Sequence, residues 1–148
     1  MYFVDRHKIE EILNYMERLM EEQKLHSYSS SLADKLLLER ITHLVIESII
    51  DVGNQMIDGF IMRDPGSYED IIDILTDETV LPEEEIDQYK TFIQLRKVIV
   101  QTYLTVDRQQ LENVWQKSQH AVESFPKRIR RYLDEEIGPV SAFTNRNE

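Results

Sequence analysis

Apolar residues recur along most of the chain at intervals of three and four, the spacing that lines one face of an α-helix. From about Asp5 to Leu25, the residues Ile9, Ile12, Leu13, Met16, Leu19 and Met20 form such a face, and Glu10, Glu11, Glu17, Glu21 and Glu22 supply the wet one. The polar stretch from His26 to Ser31 interrupts the pattern. Ser31 and Asp34 then stand where a hydroxyl and a carboxylate can each satisfy a free amide, which predicts the start of a second helix. That helix is apolar on more than one side: Leu36, Leu37, Ile41, Leu44, Val45, Ile49, Val52, Met56, Ile57 and Phe60 all call for burial. It is either central to a bundle or faces both a core and a partner. Glycine costs about 1 kcal/mol relative to alanine inside a helix, so close backbone packing is the expected reason for Gly53 and Gly59.

Beyond the turn Asp64-Pro65-Gly66, Ser67 to Asp70 reads as the cap of a short helix ending near Glu78. Pro82 suits the first turn of the next helix, with the acidic triplet Glu83 to Glu85 behind it, and the spacing carries that helix to about Leu104. Asp107 caps the last one, whose stripe is Leu111, Val114, Trp115, Ser118, Val122, Phe125, Ile129, Tyr132, Leu133 and Ile137. The stripe keeps its period through Pro126, so a kink is expected there and not a domain boundary. Gly138 and Pro139 stop the helix, and residues 138–148 read as a loosely held tail. No repeat or linker divides the chain. The prediction is one domain over residues 1–137, an all-α, up-and-down helical bundle of about five helices. The surplus of apolar surface on the second and fourth helices points to a homodimer.

Composition narrows the possible functions. With 28 acidic residues against 17 basic ones the net charge is -11, which argues against general nucleic-acid binding. There is no cysteine, so disulfides and thiolate metal sites are excluded. The longest apolar run, Met1 to Val4, is too short for a transmembrane span or a signal sequence, and a cytoplasmic protein without membrane contact is expected.

Four histidines, His7, His26, His43 and His120, are the groups that titrate near neutrality. No two have the spacing of a helical metal pair, and all read as surface or edge residues. On the second helix Glu47 and Asp51 are one turn apart, with Asn54 on the same face and Gln55 beside it. Carboxylates on an otherwise apolar helix need water, cations or each other. They make a wet face, a polar patch at a subunit interface, or the rim of a functional cleft. A bundle di-metal site would need Glu-x-x-His motifs on facing helices, and none is present, so neither a metal nor a cofactor is expected.

On the fourth helix Tyr89, Ile93, Arg96, Val100 and Tyr103 share an apolar face. An arginine in such a stripe needs an anionic partner, which Glu47 or Asp51 can supply. On spacing alone this is a buried arginine pair with core aromatics. Gln101 lies about 140° round the helix from Arg96. For both to act on one substrate, the helix must end or bend between them, or two subunits must combine. In the last helix Lys127, Arg128, Arg130 and Arg131 form a basic cluster. It pairs with the molecule's own acids, or it is the one place where RNA phosphates are welcome; the first is favoured.

Taken together these segments resemble the HepT-like family of minimal HEPN proteins, and most of all its YutE-type branch. The stretch Glu47-Ser-Ile-Ile-Asp51-Val-Gly53-Asn54-Gln55 is similar to the family's Glu-x-x-x-Asp-x-Gly-Asn helix. Tyr68 to Leu75 followed by Val80-Leu81-Pro82 matches its middle. Leu95-Arg96-Lys97-Val-Ile-Val100-Gln101-Thr-Tyr103 stands where the family has Leu-Arg-Asn-x-Leu-Val-His-x-Tyr. The resemblance covers roughly Leu36 to Arg131. It implies a small all-α dimer with a metal-independent RNase site in the cleft between protomers, acting as a toxin. It also implies a nucleotidyltransferase antitoxin that adds AMP to the motif tyrosine. Arg96 matches the family's catalytic arginine and Tyr103 its modified tyrosine, with Gln101 at the histidine position and Lys97 at the asparagine position. Glutamine does not exchange a proton near pH 7, so a site built on Gln101 is either weakened or works differently. Lys97 joins Lys127, Arg128, Arg130 and Arg131 as a candidate RNA contact. The competing expectation is a non-catalytic helical dimer of the same fold.

Overall fold

The computed structural model describes residues 4–138. Five α-helices make up most of it: α1 (Arg6–Leu25), α2 (Leu32–Gly59), α3 (Tyr68–Asp77), α4 (Ile86–Gln101) and α5 (Arg108–Ile137). Short 3₁₀ turns at Glu83–Glu85 and Tyr103–Thr105 precede and follow α4, and there is no strand among the described residues. Sequence-predicted caps are in place: the hydroxyls of Ser31 and Ser67 accept from the amides of Asp34 and Asp70, and Asp107 accepts from Gln109. The expected loose tail beyond Gly138 lies outside the described residues.

Cross-helix pairs fix the directions. Tyr89 with Phe125, Phe92 with Trp115 and Glu85 with Arg128 run in opposite senses, so α4 and α5 are antiparallel. Arg130 reaches Glu10 and Glu17, and Gln119 reaches Gln23, which sets α1 antiparallel to α5. Trp115 bonds Thr42 and Phe60 meets Tyr132, so α2 runs parallel to α5. The four long helices therefore alternate up and down, with α3 as a short brace between α2 and α4.

One core runs between them. The stripe predicted for α5 is buried at Leu111, Trp115, Ser118, Val122, Phe125, Ile129, Tyr132 and Leu133, and the helix continues through Pro126. Two polar side chains in the core are paired: Trp115 Nε1 donates to Thr42 Oγ1 at 2.8 Å, and the Tyr89 hydroxyl donates to the Ala121 carbonyl at 2.6 Å. Gly53 is buried where α3 crosses α2, and a Cβ there would lie 2.5 Å from Ile71 Cγ2. That close approach is the reason for the glycine. Arg63 and the Gly66 amide bind the Asp70 carboxylate and hold its pKa at about 2, anchoring the start of α3.

Four expectations are corrected. The fourth helix ends at Gln101, and Tyr103, Leu104 and Thr105 form a separate 3₁₀ turn. Val100 and Tyr103 do not share the buried face of α4 with Tyr89 and Ile93; both are exposed. Leu36 and Leu37 are also exposed, because the first turns of α2 extend past the end of the core. Pro82 caps the 3₁₀ turn ahead of α4 and is not part of the helix.

Candidate functional site

Arg96 projects from α4 toward α2 and α3. Its Nε donates to Glu47 Oε1 at 2.6 Å, and its guanidinium carbon lies 4.8 Å from the centre of the Tyr68 ring, within cation–π range. The bond to Glu47 raises the already high guanidinium pKa, so the side chain is a fixed positive charge. It occupies Nε and leaves the terminal nitrogens for a further anion. Arg96 is 29% exposed and Glu47 42%, so the pair is held in place yet open to solvent.

The same carboxylate oxygen faces a second group. His43, one helical turn before Glu47, has Nε2 3.4 Å from Glu47 Oε1. The structure thus gathers His43 and Glu47 from α2, Tyr68 from the start of α3 and Arg96 from α4. A groove of about 560 Å³ between α1 and α2 opens beside them, lined among others by Tyr15, Arg18, Leu44, Glu47 and Asp51.

Of the expected site residues, Arg96 and Glu47 meet, and Glu47 is the anionic partner that the sequence required. Asp51 stands exposed further along α2, where its carboxylate accepts from Gln55 Nε2 at 3.3 Å. Asn54 lines a different hollow with Tyr68 and the Pro65–Gly66 turn. Gln101 and Lys97 are exposed on α4, and Tyr103 is 66% exposed on the turn beyond it. Helix α4 is unbroken from Arg96 to Gln101, so the two side chains of one chain leave it in different directions.

The basic cluster divides. Arg128 makes two bonds of 2.9 Å to Glu85, and Arg130 is bound by Glu10, Glu17 and Asn14 of α1. Both arginines are spent on the chain's own acids. Lys127 and Arg131 alternate with them on the exposed side of α5. Among the described residues, no three His, Cys, Asp or Glu side chains gather in a way that would hold a metal ion.

Two members of the cluster, His43 and Tyr68, had no role in the sequence reading. The spacing of His43 to Glu47 was visible as one helical turn, but nothing local tells which way that face turns. His7, His26 and His120 are exposed as expected, whereas His43 is partly buried against the site.

Comparison with known proteins shows the family. The family model described as "Ribonuclease HepT-like" matches residues 9–129, a span that includes His43, Glu47, Tyr68 and Arg96. The chain belongs to the HepT-like ribonuclease family. A HepT-like relative, "Putative RNase YutE" of Bacillus subtilis (strain 168), is 52% identical over 143 residues, 97% of this chain and 99% of its own length. The solved structure of YutE from Bacillus subtilis, described as a cytosolic protein of unknown function, matches with a TM-score of 0.92 at 52% identity. That match covers 97% of this chain and all of the other. No helix among the described residues of this HepT-like chain is long and apolar enough to cross a membrane.

Proposed function

We propose that this protein is a cytoplasmic, metal-independent endoribonuclease that works as a homodimer, with Arg96 binding the phosphate to be cleaved. The observation that carries the reading is Arg96 itself. It stands at the family's arginine position, fixed through Nε by Glu47 and through its face by Tyr68, with its terminal nitrogens unspent. A guanidinium presented in this way suits two oxygens of one phosphate.

The second copy is needed because α4 continues straight through Gln101. Arg96 and Gln101 point about 140° apart, so they meet one RNA only if different protomers supply them. Gln101 then orients a phosphate or a 2′-hydroxyl, and exposed Lys97 adds positive charge near it. Tyr103, outside the helix and open to solvent, is the residue a nucleotidyltransferase antitoxin would modify with AMP, which makes the protein the toxin of such a pair. Lys127 and Arg131 remain as peripheral RNA contacts.

Incubation of the purified protein with a single-stranded RNA tests the reading. Cleavage by the wild type and a loss of 100-fold or more in Arg96→Ala are expected, since electrostatic stabilisation of a reacting phosphate is of about that size. Cleavage no faster than in Arg96→Ala would defeat it. The alternative of a non-catalytic dimer has one observation in its favour, the Gln101 amide, which exchanges no proton. It predicts that Gln101→His gains RNase activity over an inert wild type.

A further inference from the structure

Cleavage of RNA by its own 2′-hydroxyl needs a group that takes up a proton near neutral pH. Gln101 is unable to do so, and carboxylates and guanidinium ions normally keep their charge there. Among the side chains gathered around Arg96, the imidazole of His43 is the one whose chemistry fits. Its Nε2 is 3.4 Å from Glu47 Oε1, and Arg96 Nε is 2.6 Å from that same oxygen. One carboxylate therefore hydrogen-bonds the anion-binding cation and stands at ion-pair distance from the imidazole. His43 is 25% exposed, so the ring is held but not sealed from a substrate.

Resting on the ribonuclease reading, we propose that His43 is the general base of this site. With Nε2–H turned to Glu47, Nδ1 accepts the proton of the RNA 2′-hydroxyl. The 2′-oxygen forms its bond to phosphorus while the bond from phosphorus to the 5′-oxygen breaks. The leaving 5′-oxygen takes a proton from water. The products are a 2′,3′-cyclic phosphate and a 5′-hydroxyl, and the imidazolium returns its proton to solvent. Glu47 stabilises the positive charge that His43 gains. The charged and titratable groups around this point are Glu47 on α2 itself, Arg96 on α4, Tyr68 on α3, and Glu11, Tyr15 and Arg18 of α1 with Asp51 of α2, which line the groove beside Glu47. From α5, Trp115 carries no charge and bonds Thr42, the residue before His43.

The test is the pH–rate profile of cleavage of a fluorescent single-stranded oligoribonucleotide by wild type, Arg96→Ala, His43→Gln and His43→Ala. Thermal melting of each variant checks its fold. The expected result is a fall of about 100-fold or more in both His43 variants, because general base catalysis contributes at least that much. The pH dependence of the rate should flatten in both His43 variants. Added imidazole should partly restore His43→Ala and leave Arg96→Ala unchanged. If His43→Gln keeps the wild-type rate and profile while Arg96→Ala is inactive, His43 is not the base and the ribonuclease reading stands. If wild type and Arg96→Ala are equally inert, both fail.

Discussion

A methyl group added at Gly53 would meet Ile71 Cγ2 at 2.5 Å, and Ile71 is itself buried, so its branched side chain has nowhere to turn. Alanine gains about 1 kcal/mol of helix propensity over glycine. Overpacking a tight core contact costs about 1–3 kcal/mol, and at this separation the clash wins. Gly53→Ala should therefore destabilise the fold by about 1–2 kcal/mol in a urea titration, despite the better helix former. It should also push α3 outward and loosen Tyr68 from Arg96, which a fall in RNA cleavage beyond the loss of stability would reveal. The same residues show what the chain reveals one position at a time. An arginine inside an apolar stripe demands an acid, and Glu47 answered that demand. Tyr68 was not legible, because its partner Arg96 comes from another helix, and His43 was not, because no local spacing records which face of α2 meets α4.

At the scale of elements, caps and turns were legible where a specific side chain makes them, as at Ser31, Ser67 and Asp107. Ends without such a residue were not. Ile93, Val100 and Tyr103 keep an apolar rhythm past the true end of α4 at Gln101, and Leu36 and Leu37 keep one in the first turns of α2, where no core covers them. Periodicity registers an apolar side chain but not what covers it. The end of α2 is more unusual. Ile61 has φ of 57°, a left-handed conformation that a β-branched residue adopts at a cost of about 1–2 kcal/mol. The Met62 amide bonds the Ile57 carbonyl at 2.9 Å across this turn, a helix-ending loop that usually holds glycine at its left-handed position. Ile61 is 72% exposed, so little packing is lost by removing its side chain. Ile61→Gly is expected to raise stability by about 1 kcal/mol, read as a higher melting temperature with unchanged helical content. A lower one would mean that the exposed side chain is covered in the assembled protein.

At the scale of the whole molecule the acidic balance has a definite distribution. Arg128 and Arg130 neutralise Glu85, Glu10 and Glu17 and tie α5 to the start of α4 and to α1, so most of the basic cluster is internal to the bundle. On the proposed ribonuclease reading, the candidate RNA contacts that remain are Arg96, Lys97 and the outer pair Lys127 and Arg131. The exposed apolar residues are just as unevenly placed. Leu32, Leu36 and Leu37 begin α2, while Val100, Tyr103 and Leu104 end α4. Both lie at the same end of the bundle, since Tyr28, just before α2, is close enough to Glu112 in the first turns of α5 to feel its charge. On the proposed homodimer reading, these apolar side chains at one end are the surface through which two copies would meet. Leu104 is 82% exposed, so Leu104→Asp should leave the folding of a single chain within about 0.5 kcal/mol of wild type. An aspartate buried without a partner in a dimer interface costs several kcal/mol, enough to split it at micromolar concentration. Sedimentation should then give a dimer for wild type and a folded monomer for Leu104→Asp, with RNA cleavage lost only in the monomer. A monomeric wild type at micromolar concentration would remove the second copy, and with it the only route by which Gln101 can join Arg96 on one strand of RNA.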